Sequence, residues 1–279
     1  MITQNIKNRK NLYKTLGPEG AKLILFLSQN KKNVFSTQEA AKILRTNTSK
    51  IWKLLNGLVG KGWLQRFEKG KYLLLPLGVD ATQPYTEHQF IIGSQLIAPY
   101  FIGYWSILNY YGYTEQLQNT IFIASTKRKK ETMIAGIKYK FIKIPEYKMF
   151  GLANIEINNT HVRVSDREKT LIDCLDHPEF CGGIIEITKG IWNAREEIDF
   201  DKLVNYARKI RNSAVSKRLG YLLEILGLEK KVRANALQEL IAKGFSPLDP
   251  LLPKKGKTIS RWNLIVNISE EEILSWRRV

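Results

Sequence analysis

Five apolar residues, Ile51, Leu54, Leu55, Leu58 and Val59, recur at offsets 0, +3, +4, +7 and +8. That spacing lines them along one face of an α-helix and along neither face of a strand. Such a face must be buried, so it constrains its neighbours as well. Upstream, Ser36-Thr37-Gln38-Glu39 carries the capping-box spacing, a hydroxyl followed three residues later by Glu, and Ala40, Ala41, Ile43 and Leu44 continue a helix from it. Arg45-Thr46-Asn47-Thr48 forms the turn between the two helices. Earlier still, Gly17-Pro18-Glu19 opens a first helix with Leu23, Ile24, Phe26 and Leu27 as its apolar face, preceded by a polar, basic arm over residues 1–16. Downstream, Gly60-Lys61-Gly62 ends the third helix. The strand-like runs 63–67 and 71–76 then flank Glu68-Lys69-Gly70 as a hairpin. Helix, helix–turn–helix, hairpin is the order of a winged helix-turn-helix, predicted over residues 1–80.

Charge is concentrated in the same stretch. The 279-residue chain has a formal net charge of +18, and residues 1–80, with 15 Lys and Arg against 4 Asp and Glu, hold +11 of it. So basic a chain needs an anionic partner, nucleic acid before a membrane surface. With the apolar stripe turned inward, the opposite arc of the third helix presents Ser49, Lys50, Lys53 and Asn56. These are side chains that can meet base edges or phosphates in a major groove. Thr46, Asn47 and Thr48 stand at the helix start, where hydroxyls and free backbone N–H groups suit a phosphate. Arg66, Lys69 and Lys71 make the hairpin a basic wing. Trp52 lies at the boundary of the two faces and reads as packing. A docking geometry of this kind, in place of a long basic amphipathic helix, disfavours a membrane partner.

Residues 81–279 form a second, larger domain behind a linker at 77–89. An aromatic-rich segment, Ser94 to Tyr113, reads as core. Strands are expected at 121–123, 139–144 and around 162–164, and helices at 166–176, 183–195, 200–210, 214–226 and 232–243, followed by an extended tail over 246–262. The expected fold class is α+β: an N-terminal winged helix-turn-helix and a mixed α/β C-terminal domain ending in a helical bundle.

The second domain offers no catalytic constellation. Gly93-Ser94 is not followed by paired carboxylates, since Gln95 to Thr114 contains no Asp or Glu, and neither a P-loop nor a G-x-S-x-G occurs. Glu229-Lys230-Lys231 reads as a salt-bridged helix end. Cys174, His177 and Cys181 supply three ligand types where zinc usually takes four, so they read as a helix end with a buried thiol. No enzyme activity, metal or cofactor is expected. Lys127-Arg128-Lys129-Lys130, the densest basic run, lies in an exposed loop between strands, as a solvated turn, a second phosphate-contacting patch or a partner surface. Two cysteines, a polar N-terminus and the lack of any run of ~20 apolar residues point to the cytoplasm.

Three further stretches carry a resemblance: Trp105-Ser106-Ile107-Leu108-Asn109-Tyr110-Tyr111-Gly112, Val164-Ser165-Asp166-Arg167-Glu168-Lys169-Thr170-Leu171-Ile172-Asp173, and Lys217-Arg218-Leu219-Gly220-Tyr221-Leu222-Leu223-Glu224. With the Thr37–Leu44 helix, the 58–64 helix end and the wing at 66–72, they make roughly residues 20–230 resemble the AbiEi-type antitoxins. These are transcriptional regulators of abortive-infection toxin–antitoxin systems. The resemblance implies a repressor that binds inverted repeats of double-stranded DNA in its own promoter. It also implies a type IV antitoxin that counters a nucleotidyltransferase toxin, without requiring a stable complex with it. It assigns no role to Asp173 or Arg218. By their own chemistry, Asp166 is a helix N-cap and Arg218 a partly buried charge needing a partner. The alternative reading is a nucleic-acid-processing or RNA-binding protein with a winged-helix targeting module.

Overall fold

The computed structural model describes residues 16–75, 88–116, 118–134, 136–233 and 235–278. Nearly all of the expected basic arm, most of the expected linker and the expected domain boundary at 80/81 lie outside the described residues. The chain divides into two compact units. One comprises residues 1–96 with 133–137 and 156–162, and the other 97–132, 138–155 and 163–279.

In the first unit, helix α1 (Gly17–Gln29) is followed by a short strand β1 (Val34–Ser36), helices α2 (Thr37–Leu44) and α3 (Thr48–Gly60), and strands β2 (Leu64–Glu68) and β3 (Lys71–Leu74). The three strands form an antiparallel sheet in the order β1-β3-β2. The capping box forms: the Ser36 hydroxyl accepts from the Glu39 N–H at 3.2 Å, and the Glu39 carboxylate accepts from the Ser36 N–H at 2.7 Å. Such caps contribute about 1 kcal/mol. Leu23, Leu27, Phe35, Ile51, Leu55, Leu58 and Tyr72 are buried together, with Leu54, Val59 and Trp63 packed against them. Phe26, expected on the buried face of α1, is exposed. The buried face is centred on Gly20, Leu23, Ile24 and Leu27, and Phe26 points about 100° away from that centre. Helix α4 (Gln89–Ser94), almost wholly buried, completes this unit's described helices.

The second part of the chain runs through β4 (Phe101–Ile102), α5 (Trp105–Tyr110), β5 (Thr120–Ser125), β6 (Thr132–Ile134), β7 (Ile137–Lys143), β8 (Leu152–Ile157) and β9 (Thr160–Ser165). These strands make a mixed sheet in the order β6-β7-β5-β4-β9-β8, with β5–β7 and β4–β9 parallel and β4–β5 antiparallel. Helices α6 (Arg167–Asp176), α7 (Gly183–Ala194), α8 (Phe200–Lys209) and α9 (Ser213–Leu226) follow at the expected places. Their apolar faces join one core containing Leu171, Leu175, Ile184, Ile187, Leu203, Leu219 and Leu222. In the aromatic-rich segment Tyr104 and Tyr113 are core, while Tyr110 is exposed.

The helix expected over 232–243 does not form. Asn235 sits at φ 63°, a left-handed conformation that interrupts any α-helix, and only a 3-10 turn at Gln238–Leu240 appears. The tail is more structured than an extended segment. It forms β10 (Ser246–Pro247), β11 (Lys257–Ile259) and β12 (Leu264–Val266), in the order β10-β12-β11, then the short α10 (Glu270–Ile273). The overall class is α+β, with N-terminal helices on a small antiparallel sheet, a mixed sheet, and C-terminal helices. No helix among the described residues is long and apolar enough to cross a membrane.

Candidate nucleic-acid interface

Helix α3 is held from its first turn. The Asn47 side-chain oxygen accepts the Lys50 N–H at 3.0 Å and the Asn47 carbonyl accepts from Ile51 at 3.2 Å. Asn47 therefore spends its oxygen on capping the helix, while its exposed position keeps it at the N-terminal end. Arg45, at φ 51°, turns the chain from α2 into α3 and is exposed. Thr48, Ser49 and Lys50 are exposed on the first turn of α3, Thr46 is half-buried, and the first-turn N–H groups carry the positive end of the helix dipole.

Farther along, Ser49, Trp52, Lys53 and Asn56 stand at offsets 0, +3, +4 and +7, one stripe opposite Ile51, Leu55 and Leu58. Lys53 is exposed and Asn56 half-buried. Trp52 departs from expectation. It is 53% exposed, whereas Trp63 is the tryptophan that packs on the core. The signal for this is its place on the helix, three residues from Ser49. Helix α3 contains no Asp or Glu.

The β2–β3 hairpin is tied to α2. The Gly70 carbonyl accepts from the Thr37 N–H at 2.8 Å and from its hydroxyl at 3.3 Å, and Gly70 adopts φ 74°, which lets Lys69-Gly70 turn the hairpin in two residues. Arg66 is exposed, with its Nε 3.4 Å from the Glu68 carbonyl. Lys69 is exposed at the tip. Lys71 pairs with Glu68 at 2.7 Å, so its charge is matched within the hairpin. The described residues 16–75 carry 11 Lys and Arg against 3 Asp and Glu. Glu39 is also engaged, with Lys32 at 2.5 Å. Burial pushes its carboxyl up, but the bonds from Lys32 and Ser36 outweigh that and hold it below the ordinary range.

The stretches Val164–Asp173 and Lys217–Glu224 are engaged in holding their own unit together. Asp166 caps α6 through the Lys169 N–H at 2.8 Å, and its other oxygen accepts from the Tyr206 hydroxyl at 3.0 Å. Ser165 and Thr170 share a 2.6 Å hydrogen bond between hydroxyls. Buried Glu168 accepts the Asp199 N–H at 2.9 Å and pairs with Lys202 at 2.7 Å. Lys169, fully buried, pairs tightly with Asp173, its ammonium between the rings of Phe101 and Phe150 at 5.0 and 4.9 Å. Burial pushes the Asp173 carboxyl above its usual range, with Lys169 pulling it back. Lys217 donates to the Gly244 carbonyl at 2.6 Å, and burial lowers its pKa. Arg218 finds carbonyls as partners: Leu175 at 2.7 Å, Leu248 at 3.1 Å and Pro247 at 3.4 Å. At Gly220 a Cβ would lie 2.1 Å from the Trp262 ring, so only glycine fits. Glu224 in turn accepts the Trp262 indole N–H at 2.7 Å.

Cys174 and Cys181 are both buried, and His177 turns instead to Glu179 and Asp176, at 2.9 and 3.4 Å. Among the described residues no group of three or more His, Cys, Asp and Glu is placed to hold a metal. Lys127, Arg128 and Lys130 are exposed in the loop between β5 and β6. Lys129 lies over the Phe141 ring at 5.4 Å, so this run does not present four equivalent charges.

No family model and no curated protein matches the chain. Among solved structures, the crystal structure of the RV2827C protein from Mycobacterium tuberculosis has a similar fold. It superposes with a TM-score of 0.67 over 96% of this chain and 97% of that one, at 14% sequence identity. The shared fold therefore extends through both parts of the chain.

Proposed function

We propose that this protein is a DNA-binding transcriptional repressor that controls its own toxin–antitoxin operon and acts as a type IV antitoxin against a nucleotidyltransferase toxin. The observation that supports this most is the first unit: α1-β1-α2-α3-β2-β3 with an antiparallel sheet, which this reading takes as a winged helix-turn-helix, and an outward face of α3 that bears Ser49, Lys50, Lys53 and Asn56 and no carboxylate. In this reading α3 lies in the major groove, with Thr46, Asn47 and Thr48 at its phosphate-facing end, and Arg66 and Lys69 reach the backbone from the wing. Lys71 contributes less, because Glu68 already neutralises it. The antitoxin half rests on the resemblance of the 105–112, 164–173 and 217–224 stretches to AbiEi-type antitoxins. Most residues of the 164–173 and 217–224 stretches are buried in the second unit, and no enzyme activity is proposed for it.

Gly57 supports close approach of a partner. It is exposed on the outward side of α3, and a Cβ there would meet nothing within 4 Å. Gly57→Ala is expected to stabilise the chain by about 0.4–1 kcal/mol, read as a higher midpoint of urea unfolding, and at the same time to weaken DNA binding. A variant that is more stable and binds equally well would remove Gly57 from the interface.

The whole reading is tested by co-expressing the full chain with the nucleotidyltransferase-like gene expected beside it. Growth should recover, and reporter expression from the shared promoter should fall. Continued growth arrest in the presence of folded protein would remove the antitoxin assignment, and an unrepressed promoter would remove the repressor assignment.

A further inference from the structure

Resting on the DNA-binding reading, we propose that Trp52 is a specificity-determining residue that recognises thymine through its 5-methyl group in the major groove. Trp52 shares its stripe of α3 with Ser49, Lys53 and Asn56, and it is 53% exposed while Ile51 and Leu55 on either side of the turn are buried. Ser49 and Asn56 carry donors and acceptors for polar base edges, and Lys53 a charge for the phosphates. Thymine alone among the bases presents an apolar group in the major groove, and an indole face is the one surface on this stripe that can pack on it.

A protein partner fits this stripe poorly. It carries Lys53 with Lys50 beside it, α3 has no carboxylate, and of the three carboxylates among residues 16–75 both Glu39 and Glu68 are already ion-paired. A second copy of the chain would bring two such basic surfaces together, which electrostatics opposes. A polyanion that also carries methyl groups satisfies both the lysines and the indole.

The test uses the full chain and the duplex that it enriches from a random-sequence double-stranded DNA library. Thymines in that duplex are replaced one at a time by deoxyuridine, which removes only the methyl group. The wild-type chain should lose about fourfold in affinity at one or two thymines, the worth of one buried methyl-sized group. Trp52→Ala should bind the thymine and deoxyuridine duplexes equally, with an unchanged salt dependence, and Trp52→Phe should keep part of the discrimination. Indifference of the wild-type chain to every substitution, or the same fourfold loss in Trp52→Ala, would overturn the role of Trp52 and leave the DNA-binding reading standing. Failure of the wild-type chain to enrich any duplex would overturn that reading, and the role of Trp52 with it.

Discussion

Replacing Asp173 by alanine will cost about 3–5 kcal/mol of folding stability, because it leaves the Lys169 ammonium buried without its counter-charge. Lys169 is fully buried, Asp173 is 2% exposed, and the two are one helical turn apart on α6. The aromatic rings of Phe101 and Phe150 beside the ammonium offer some compensation, but not a full charge. The double change Lys169→Met with Asp173→Leu removes both charges and keeps comparable volume. It should recover most of the loss, since a buried ion pair is often no more stabilising than an apolar pair of the same shape. Urea unfolding of the wild type and the two variants measures this. A single variant within about 1 kcal/mol of the wild type would mean that water reaches Lys169 freely, in conflict with the packing of this unit.

The second large effect concerns DNA. Exchanging Lys50, Lys53, Arg66 and Lys69 together for alanine should lower affinity for double-stranded DNA by roughly 10³-fold near physiological salt, if each side chain neutralises one phosphate. All four are exposed. Their removal leaves the buried face of α3 and the capping box of α2 untouched, so the variant should remain folded. Splitting the set separates their roles. Losing Lys50 and Lys53 from α3 should lower affinity for the chain's own promoter duplex, whereas losing Arg66 and Lys69 from the β2–β3 hairpin should weaken binding to all duplexes alike.

Much of the first unit is legible in the sequence because its signals are local. The apolar stripe of α3 repeats at three- and four-residue steps, the Ser36–Glu39 box closes within three residues, and in the second unit the Asp166 cap of α6 does the same; each appears where its spacing places it. Strand β1 is not legible. It is three residues long, and its existence depends on pairing with the distant β3 in the register Val34–Leu73. The 232–243 segment looks helical by composition, but Asn235 turns the backbone left-handed inside it. The need for glycine at 220 comes from Trp262, brought against α9 by the tail. The burial of Lys169 likewise follows from Phe101 and Phe150, distant in the chain, packing against it.

The candidate interface is partly legible for the same reason. Offsets along α3 place Lys50, Lys53 and Asn56 away from the core stripe, and the same offsets place Trp52 with them. Reading an aromatic residue as packing by its type, and not by its position, puts it on the wrong side. Lys71 shows the opposite failure. Its charge is visible in the sequence, whereas its pairing with Glu68 depends on the geometry of the hairpin turn.

The central claim is that the outward face of α3 and the wing dock on the DNA backbone. Its most direct test is the salt dependence of binding to a duplex from the chain's own promoter, measured for the wild type and for the variant lacking Lys50, Lys53, Arg66 and Lys69. The claim predicts that the slope of log K against log salt becomes shallower by about 3–4 in the variant, near 0.9 for each phosphate that is no longer neutralised. Equal slopes for the two proteins would contradict it.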